Sequence, residues 1–175
     1  RLAVLVADLL GLSRIEAGRV ALGLGSVPVE VALARGAESV HPRARERGVQ
    51  VAWDAPAGLA VRADLMALDQ VLVNLLDNAV KYANVEGGVR ASARSVGTRV
   101  RIEVQDDGPG VASDQRARLF ERFYRVDDGR SRQLGGTGLG LAIVKNLVGA
   151  MGGTVGLDPA VPHGAIFWVE LPEVG

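Results

Sequence analysis

D-Q-V-L-V-N-L-L-D-N-A-V-K-Y-A, residues 69–83, is the stretch of sequence that decides the fold. Read with a period of 3.6 residues, it predicts the central and final turns of a long amphipathic helix from about Asp64 to Tyr82. The apolar positions share one face of that helix: Leu68, Val71, Leu72, Leu75 and Ala79. The opposite face carries polar side chains, and these are candidates for a binding role.

The polar face of this helix has a composition that suits a metal–phosphate ligand. Asn74, Asn78 and Lys81 recur at i, i+4 and i+7, with Gln70 and Asp77 beside them. An amide oxygen is a neutral, hard ligand suited to Mg²⁺, which commonly takes its other ligands from water and substrate phosphates. A lysine one turn further on can meet phosphate charge. The alternative is an ordinary solvated face, although such faces favour Glu and Lys over Asn, which is a poor helix former.

D-D-G-P-G, residues 106–110, is the second informative element. Asp106 ends a predicted strand, and Gly108 and Gly110 provide the backbone freedom of the turn that follows. An ionised carboxylate only accepts hydrogen bonds, so Asp106 could read an exocyclic amine such as that of adenine. The alternative is an ordinary surface turn.

The third element, G-G-T-G-L-G-L-A-I-V-K, spans residues 135–145. Its loop glycines lead into a helix predicted over residues 139–151, whose first backbone N–H groups and positive dipole end favour a phosphate. No strand directly precedes it in a βαβ unit, and it lacks the G-K-[ST] of a P-loop, so neither of those nucleotide-binding folds is indicated. Together, the three elements predict a nucleotide site.

Composition limits the remaining possibilities. The chain has 175 residues, 20 basic and 20 acidic, and its formal net charge is zero. Bulk nucleic-acid binding requires a basic excess and is therefore disfavoured. Without cysteine there can be no disulfide framework, thiolate zinc site or cysteine nucleophile, and a reducing compartment fits.

The first residues predict a separate helix. Leu2, Leu5, Leu9 and Leu12 follow 3, 4, 3 spacing, the seam of a helix that packs on another helix. A partner helix or a dimer is therefore expected, and the alternative is packing on its own domain. The apolar stretch is too short to span a bilayer. Because Arg1 is not an initiator methionine, we expect a piece of a longer protein.

Three regions are predicted: a helical remnant at residues 1–18, a glycine-rich linker at 19–28 and one domain at 29–175. Within the domain we expect a helix over 29–47 that is disturbed around Pro42. Strands are predicted from alternating or β-branched runs at 49–53, 89–95, 98–104, 153–157 and 165–171. Residues 106–136 are glycine-rich and poorly periodic, which is typical of a functional lid.

These motifs, in this order, closely resemble the catalytic, ATP-binding domain of bacterial two-component sensor histidine kinases. Residues 69–82 resemble the N box, 106–110 the first glycine box, L-F-E-R-F-Y-R at 119–125 the F box, and 135–145 the second glycine box. The opening L-V-A-D-L-L-G-L-S-R-I-E-A-G resembles the second helix of the dimerisation and histidine-phosphotransfer domain. The resemblance covers nearly the whole chain.

The resemblance implies an α/β (α+β) two-layer sandwich of the Bergerat ATPase type, a mixed sheet backed by helices and preceded by one N-terminal helix. It implies ATP and Mg²⁺ as ligands, with Asn78, helped by Asn74, on the metal, and with Phe120 and Phe123 anchoring the lid. The positions that it assigns to ATP are Asn74, Asn78, Lys81, Tyr82, Asp106, Gly108, Gly110, Phe120, Gly136, Thr137, Gly138, Leu139, Gly140 and Leu141.

One departure from the family concerns function. The phosphoacceptor histidine of the family stands in a His-Glu or His-Asp pair, and no such pair occurs here. His41, in H-P-R-A-R, cannot take that role, so no catalytic residue is assigned and the chain is expected to bind Mg-ATP without phosphorylating itself. A smaller departure is Asp107, where the family commonly has Asn.

The implied function is donation of the ATP γ-phosphoryl group to a histidine on a helix absent from this sequence, for relay to an aspartate of a response regulator. Implied partners are the phosphotransfer helices of its own full-length homodimer and that regulator, with no nucleic acid and no direct membrane contact. The expected location is the cytoplasmic part of a membrane-anchored sensor. The alternatives are an ATP hydrolase of the same superfamily, for which Asn74 is no general base, and a nucleotide-gated binding module or pseudokinase.

Overall fold

A computed structural model describes residues 2–126 and 134–175 of the chain. The helices are α1 (Leu2–Glu16), α2 (Val29–Arg47), α3 (Leu65–Tyr82) and α4 (Gly140–Ala150). The strands are β1 (Gly25–Pro28), β2 (Gln50–Asp54), β3 (Ala60–Ala63), β4 (Gly88–Val96), β5 (Arg99–Asp106), β6 (Thr154–Pro159) and β7 (Ala165–Pro172). A short 3₁₀ turn covers Arg116–Arg118.

The main sheet has five strands in the order β2-β4-β5-β7-β6. The β2–β4 pair is parallel and the other pairs are antiparallel, so the sheet is mixed. Along β5 and β7, side chains alternate between buried and partly exposed, because successive residues of a strand point to opposite faces. The buried face packs against α3 and α4. This arrangement confirms the predicted two-layer α/β sandwich.

The central helix lies where its sequence predicts. All five predicted apolar positions of α3 are at most 1% exposed, and they face the sheet and α2. The helix begins after Asp64, whose side chain accepts a hydrogen bond from the N–H of Ala67 at 2.9 Å. A short acidic side chain at this position satisfies one of the unpaired N–H groups of the first turn.

Helix α2 is continuous, although a disturbance was predicted around Pro42. It runs from Val29 to Arg47 with the proline inside it and ends at Gly48 in a left-handed conformation, φ 67°. Proline removes the N–H that would bond the carbonyl of Glu38. Because Glu38 is exposed, water can satisfy that carbonyl and the helix need not break.

Part of the predicted linker is a strand. Residues 25–28 form β1, which pairs antiparallel with β3 in a separate two-stranded sheet. The pair joins Val27 to Val61, and both side chains are buried. The chain immediately before α2 is thus held against the residues that lead into α3.

The leucine seam of α1 packs largely on its own domain. Leu12 is completely buried, and Leu5 and Leu9 pack partly buried against the core, where α1 contacts α4. Leu2, the first residue of the seam, is exposed, and so are Val4, Val6 and Leu10 outside the seam. Of the two sequence-based alternatives, packing within the domain therefore accounts for most of the seam. None of the helices in the described residues has the length and apolarity needed to cross a membrane.

Candidate nucleotide-binding site

A cavity of about 1260 Å³ opens between the polar face of α3, the turn after β5 and the loop that leads into α4. Eleven of the fourteen positions predicted to contact ATP line it: Asn74, Asn78, Lys81, Tyr82, Asp106, Gly110, Gly136, Thr137, Gly138, Gly140 and Leu141. The three motifs, separated by up to about seventy residues in sequence, therefore border one space. Gly108, Phe120 and Leu139 do not line it.

Asp106 is the buried acidic group of the cavity, with 3% of its surface exposed. The N–H of Gly108 donates to its Oδ1 at 2.8 Å. Burial raises the pKa of Asp106 to about 6, the hydrogen bonds from Gly108 and Ala165 oppose that rise, and the neighbouring charge of Asp107 adds to it. A ligand that donates a hydrogen bond to this carboxylate would favour its ionised form.

Gly108 shapes the cavity from behind. A Cβ atom at this position would overlap the carbonyl oxygen of Tyr82, the last residue of α3. The turn can approach the end of the helix this closely only because position 108 has no side chain. The consequence is that Asp106 and Tyr82 face the same end of the cavity.

Of the predicted polar face of α3, Asn74, Asp77, Asn78 and Lys81 line the cavity, whereas Gln70 does not. Asn74 Nδ2 lies 3.4 Å from the carbonyl oxygen of Gly140 at the start of α4. Lys81 Nζ donates to the carbonyl oxygen of Gly135 and lies 5.2 Å from the centroid of the Tyr82 ring. The helix and the second glycine motif are thus joined by side-chain to backbone contacts at two levels.

The F-box aromatic residues contribute differently from each other. The Phe120 ring packs edge-on against Phe167, with centroids 6.4 Å apart, so this side chain anchors the segment to the sheet. The Phe123 ring is 55% exposed, which corrects the expectation that it also anchors the lid. Its N–H donates to the carbonyl oxygen of Gly138 at 2.9 Å. A Cβ at Gly138, φ +74°, would crowd the backbone of Phe123.

Leu139 and Thr137 form the entry to α4. Leu139 is completely buried in the core, so its side chain is structural. The N–H of Leu139 donates to Thr137 Oγ1 at 3.3 Å. The predicted lid over residues 106–136 includes residues 127–133, which lie outside the described part of the chain.

Several charged residues that line the cavity were not predicted from the sequence: Asp8, Arg43, Glu46, Arg47 and Arg125. Arg125 donates to the carbonyl oxygens of Gly135 and Gly136, each at 3.3 Å, and its place at the end of the F-box match was a usable signal. Arg43 and Arg47 stand one turn apart on α2. No local pattern marks them, because their position depends on how α2 packs on α3.

The described residues provide amide oxygens that could bind a metal ion, but they form no metal site from protein ligands alone. Within residues 2–126 and 134–175, no group of three His, Asp or Glu side chains could hold a metal ion. Asn74 and Asn78, the two predicted metal ligands, nevertheless line one side of the cavity. This set suits Mg²⁺ brought in by a phosphate ligand, since that ion keeps waters and needs few protein ligands.

Comparison with known proteins identifies the family. Residues 63–175 match the model of the histidine kinase-, DNA gyrase B-, and HSP90-like ATPases. The chain belongs to this ATPase family. The matched segment begins at the end of β3 and contains α3, both glycine motifs and all fourteen predicted ATP positions.

Curated relatives place the chain within the family. The sensory/regulatory protein RpfC of Xanthomonas campestris is 40% identical over 96% of this chain and 24% of its own length. The sensor-like histidine kinase SenX3 of Mycolicibacterium smegmatis is 36% identical over 99% of this chain and 45% of its own length. The chain thus spans less than half the length of these relatives.

A solved structure, full-length ShkA in complex with AMPPNP, superposes with a TM-score of 0.87 and 42% identity, over 99% of this chain and 36% of that one. The mycobacterial sensor histidine kinase MprB superposes with a TM-score of 0.75 at 28% identity, over 86% of this chain and 97% of that one. These matches confirm the identification from the motifs: the chain is a catalytic ATP-binding domain of the sensor histidine kinases.

Proposed function

We propose that this domain binds Mg-ATP in the cavity and donates its γ-phosphoryl group to a histidine on a helix outside these 175 residues. The observation that carries the proposal is the convergence of Asp106, the amide face of α3 and the loop before α4 on one cavity. The AMPPNP bound by ShkA is consistent with it.

Different residues would contact the adenine, the phosphates and the Mg²⁺ of the bound nucleotide. Asp106 would accept from the adenine amino group, and Tyr82 would lie beside the base at the same end. Lys81 and the N–H groups at the start of α4 would meet the phosphates. Asn78, with Asn74, would hold Mg²⁺, which when bound neutralises charge on the phosphates. The contribution of the chain is then mainly positioning and electrostatic stabilisation.

Hydrolysis of ATP by water is the less supported function. It requires a base next to the phosphates, and Asn74 is an amide, which cannot accept a proton in that role. Asp77 also lines the cavity, where its Oδ1 accepts a hydrogen bond from Arg43.

For the full-length protein we propose a homodimer that is formed through the phosphotransfer helices and passes the phosphoryl group to an aspartate of a response regulator. The exposed apolar side of α1, with Val6 and Leu10, supports helix pairing. We place the domain in the cytoplasm, as part of a membrane-anchored sensor, without direct contact to the bilayer or to nucleic acid.

Calorimetry tests the nucleotide site. We expect the chain to bind ATP or AMPPNP more tightly with Mg²⁺, and Asp106→Asn to lose most of that affinity because an amide NH₂ would face the adenine amine. Asp114→Asn is the control, since Asp114 is exposed and lies outside the cavity lining. Equal affinities of the chain and the Asp106 variant would contradict the assignment of adenine to this pocket.

Phosphotransfer tests the reaction. We expect no phosphohistidine on the chain alone, because His41 is exposed on α2 and His163 Nδ1 lies against the Gly108 carbonyl oxygen at 3.3 Å, away from the cavity lining. Adding a separately produced histidine-bearing domain of a sensor kinase should yield phosphohistidine on that domain. Phosphate on the isolated chain, or binding without transfer to any such domain, would argue against the proposed role.

A further inference from the structure

Two arginine–aspartate pairs join α2 to α3 with the same sequence separation of 34 residues. Arg35 Nη2 lies 2.5 Å from Asp69 Oδ2, and Arg43 Nη1 bonds Asp77 Oδ1 two turns further along both helices. Both arginine side chains are more than half exposed, at 54% and 57%. Exposed pairs of this kind contribute little to stability.

The two ion pairs differ in their position relative to the cavity. Arg43 and Asp77 line the cavity, and Arg35 and Asp69 do not. Asp77 precedes Asn78 and lies five residues before Tyr82, which corresponds to about 7.5 Å along the helix axis. If adenine occupies the Asp106 and Tyr82 end, Arg43 is therefore at the level where the phosphates would lie.

The cavity is lined by charged side chains of both signs, so the hydrogen-bond partner of each basic residue matters. In the described part of the chain, its lining includes four basic side chains, Arg43, Arg47, Lys81 and Arg125, and four acidic ones, Asp8, Glu46, Asp77 and Asp106. Arg47, Lys81 and Arg125 donate to backbone carbonyl oxygens, which are neutral acceptors. Arg43 instead donates to a carboxylate. The phosphates of a bound nucleotide are also anions, so they would compete with Asp77 for the Arg43 guanidinium.

We propose that Arg43 is a further phosphate-binding residue, which exchanges Asp77 for the terminal phosphate when nucleotide binds. The inference rests on the proposed function, because it takes Mg-ATP as the ligand. Arginine suits this exchange, since its guanidinium fork bonds carboxylate and phosphate oxygens with the same geometry. Asp77 would then hold Arg43 in place before nucleotide arrives and would weaken binding by competing with it.

Calorimetry with AMPPNP, ADP and adenosine, all with Mg²⁺, tests the exchange in the full chain. For Arg43→Gln we expect roughly tenfold weaker AMPPNP binding, on the order of one charge-assisted hydrogen bond, a smaller loss for ADP and no change for adenosine. Arg43→Lys should restore part of the loss. Asp77→Asn breaks the same pair but frees the arginine, so AMPPNP binding should be unchanged or tighter.

Arg35→Gln is the matched control and should leave all three affinities unchanged. It is a demanding control. Asp69 Oδ1 is already buried without a hydrogen-bond partner, so we expect removal of Arg35 to perturb the fold at least as much as removal of Arg43. If Arg43→Gln and Asp77→Asn weaken AMPPNP equally, or if adenosine weakens with AMPPNP, the pair is structural and the inference is wrong. If the unsubstituted chain binds none of the three ligands, the proposed function fails and the inference fails with it.

Discussion

Asp106 combines a buried carboxylate with a proposed role, acceptance of a hydrogen bond from adenine, that requires its charge. Burial raises the pKa from 3.8 to about 6, so the folded protein holds the proton more tightly than the unfolded chain. The stability that this group contributes is therefore fully present below pH 3.8 and is lost as the pH rises through about 6. We expect the free energy of unfolding of the native chain, minus that of Asp106→Asn, to fall between pH 4 and pH 7.

Urea unfolding at four or five pH values measures that difference, with a slope of at most about 1.4 kcal/mol per pH unit for one group. Subtracting the variant removes the contribution of every other titrating residue. A difference that stays flat, or that rises with pH, would mean that the pKa of Asp106 is not raised in the folded state.

Asp107 has a structural use that accounts for its presence where the family commonly has Asn. Its Oδ1 accepts from the N–H of Asn84 at 3.0 Å and its Oδ2 accepts from the N–H of Gly88 at 3.1 Å. An asparagine could accept only one of these bonds and would turn a donor toward the other N–H. We expect Asp107→Asn to lower the free energy of unfolding by about 1 kcal/mol, measured by urea unfolding at pH 7, whereas Asp114→Asn should leave it unchanged. Equal free energies of unfolding for Asp107→Asn and Asp114→Asn would show that these two hydrogen bonds do not stabilise the fold.

At the scale of elements, Asp64 links the start of α3 to the chain before β1. It caps α3 through Ala67 and also accepts from the N–H of Gly23 at 2.8 Å, which ties the chain before β1 to the start of the helix. We expect Asp64→Ala to cost about 1 kcal/mol of stability by thermal or urea unfolding, and Asp64→Asn to cost much less because Asn is also a good cap. The backbone hydrogen bond from Ala67 lowers the pKa of Asp64, so its contribution is present above pH 3.8 and is lost as the pH falls below that value. Comparable losses in both variants would indicate that the charge, rather than the cap, is what stabilises the helix.

Elements with a strong local pattern could be predicted from the sequence, and those defined by distant partners could not. Helix α3 and the β4–β5 hairpin lie as predicted because periodicity and turn glycines are local signals. β3 was missed, and β1 was assigned to the linker, because each has only four residues and is stabilised by pairing with the other. The cavity-lining role of Arg43 was missed for the same reason, since it arises from the packing of α2 on α3.

At the scale of the whole molecule, α1 contacts both the F-box segment and the cavity of the catalytic domain. Arg122 Nε donates to Glu16 Oε1 at 3.1 Å, so the last turn of α1 is paired with the segment that borders the cavity. Leu5 and Asp8 of the same helix line the cavity. The first helix, predicted as a remnant of a separate domain, is therefore in contact with the candidate site, and its position can affect the space available to a ligand.

Helix α1 should accordingly contribute to the stability of the domain through its buried side. Leu12 is completely buried and Leu10, on the same helix, is 57% exposed, so the two leucines form a matched pair. We expect Leu12→Ala to lower the free energy of unfolding by about 2–5 kcal/mol, the range for a buried leucine, and Leu10→Ala to change it by less than about 0.5 kcal/mol. Urea unfolding followed by circular dichroism measures both. If the Leu12 variant unfolds in the same single transition as the native chain, at lower urea, α1 belongs to the cooperative unit of the catalytic domain. If both variants match the native chain, α1 is only loosely associated, and the contacts of Leu5 and Asp8 with the cavity do not persist in solution.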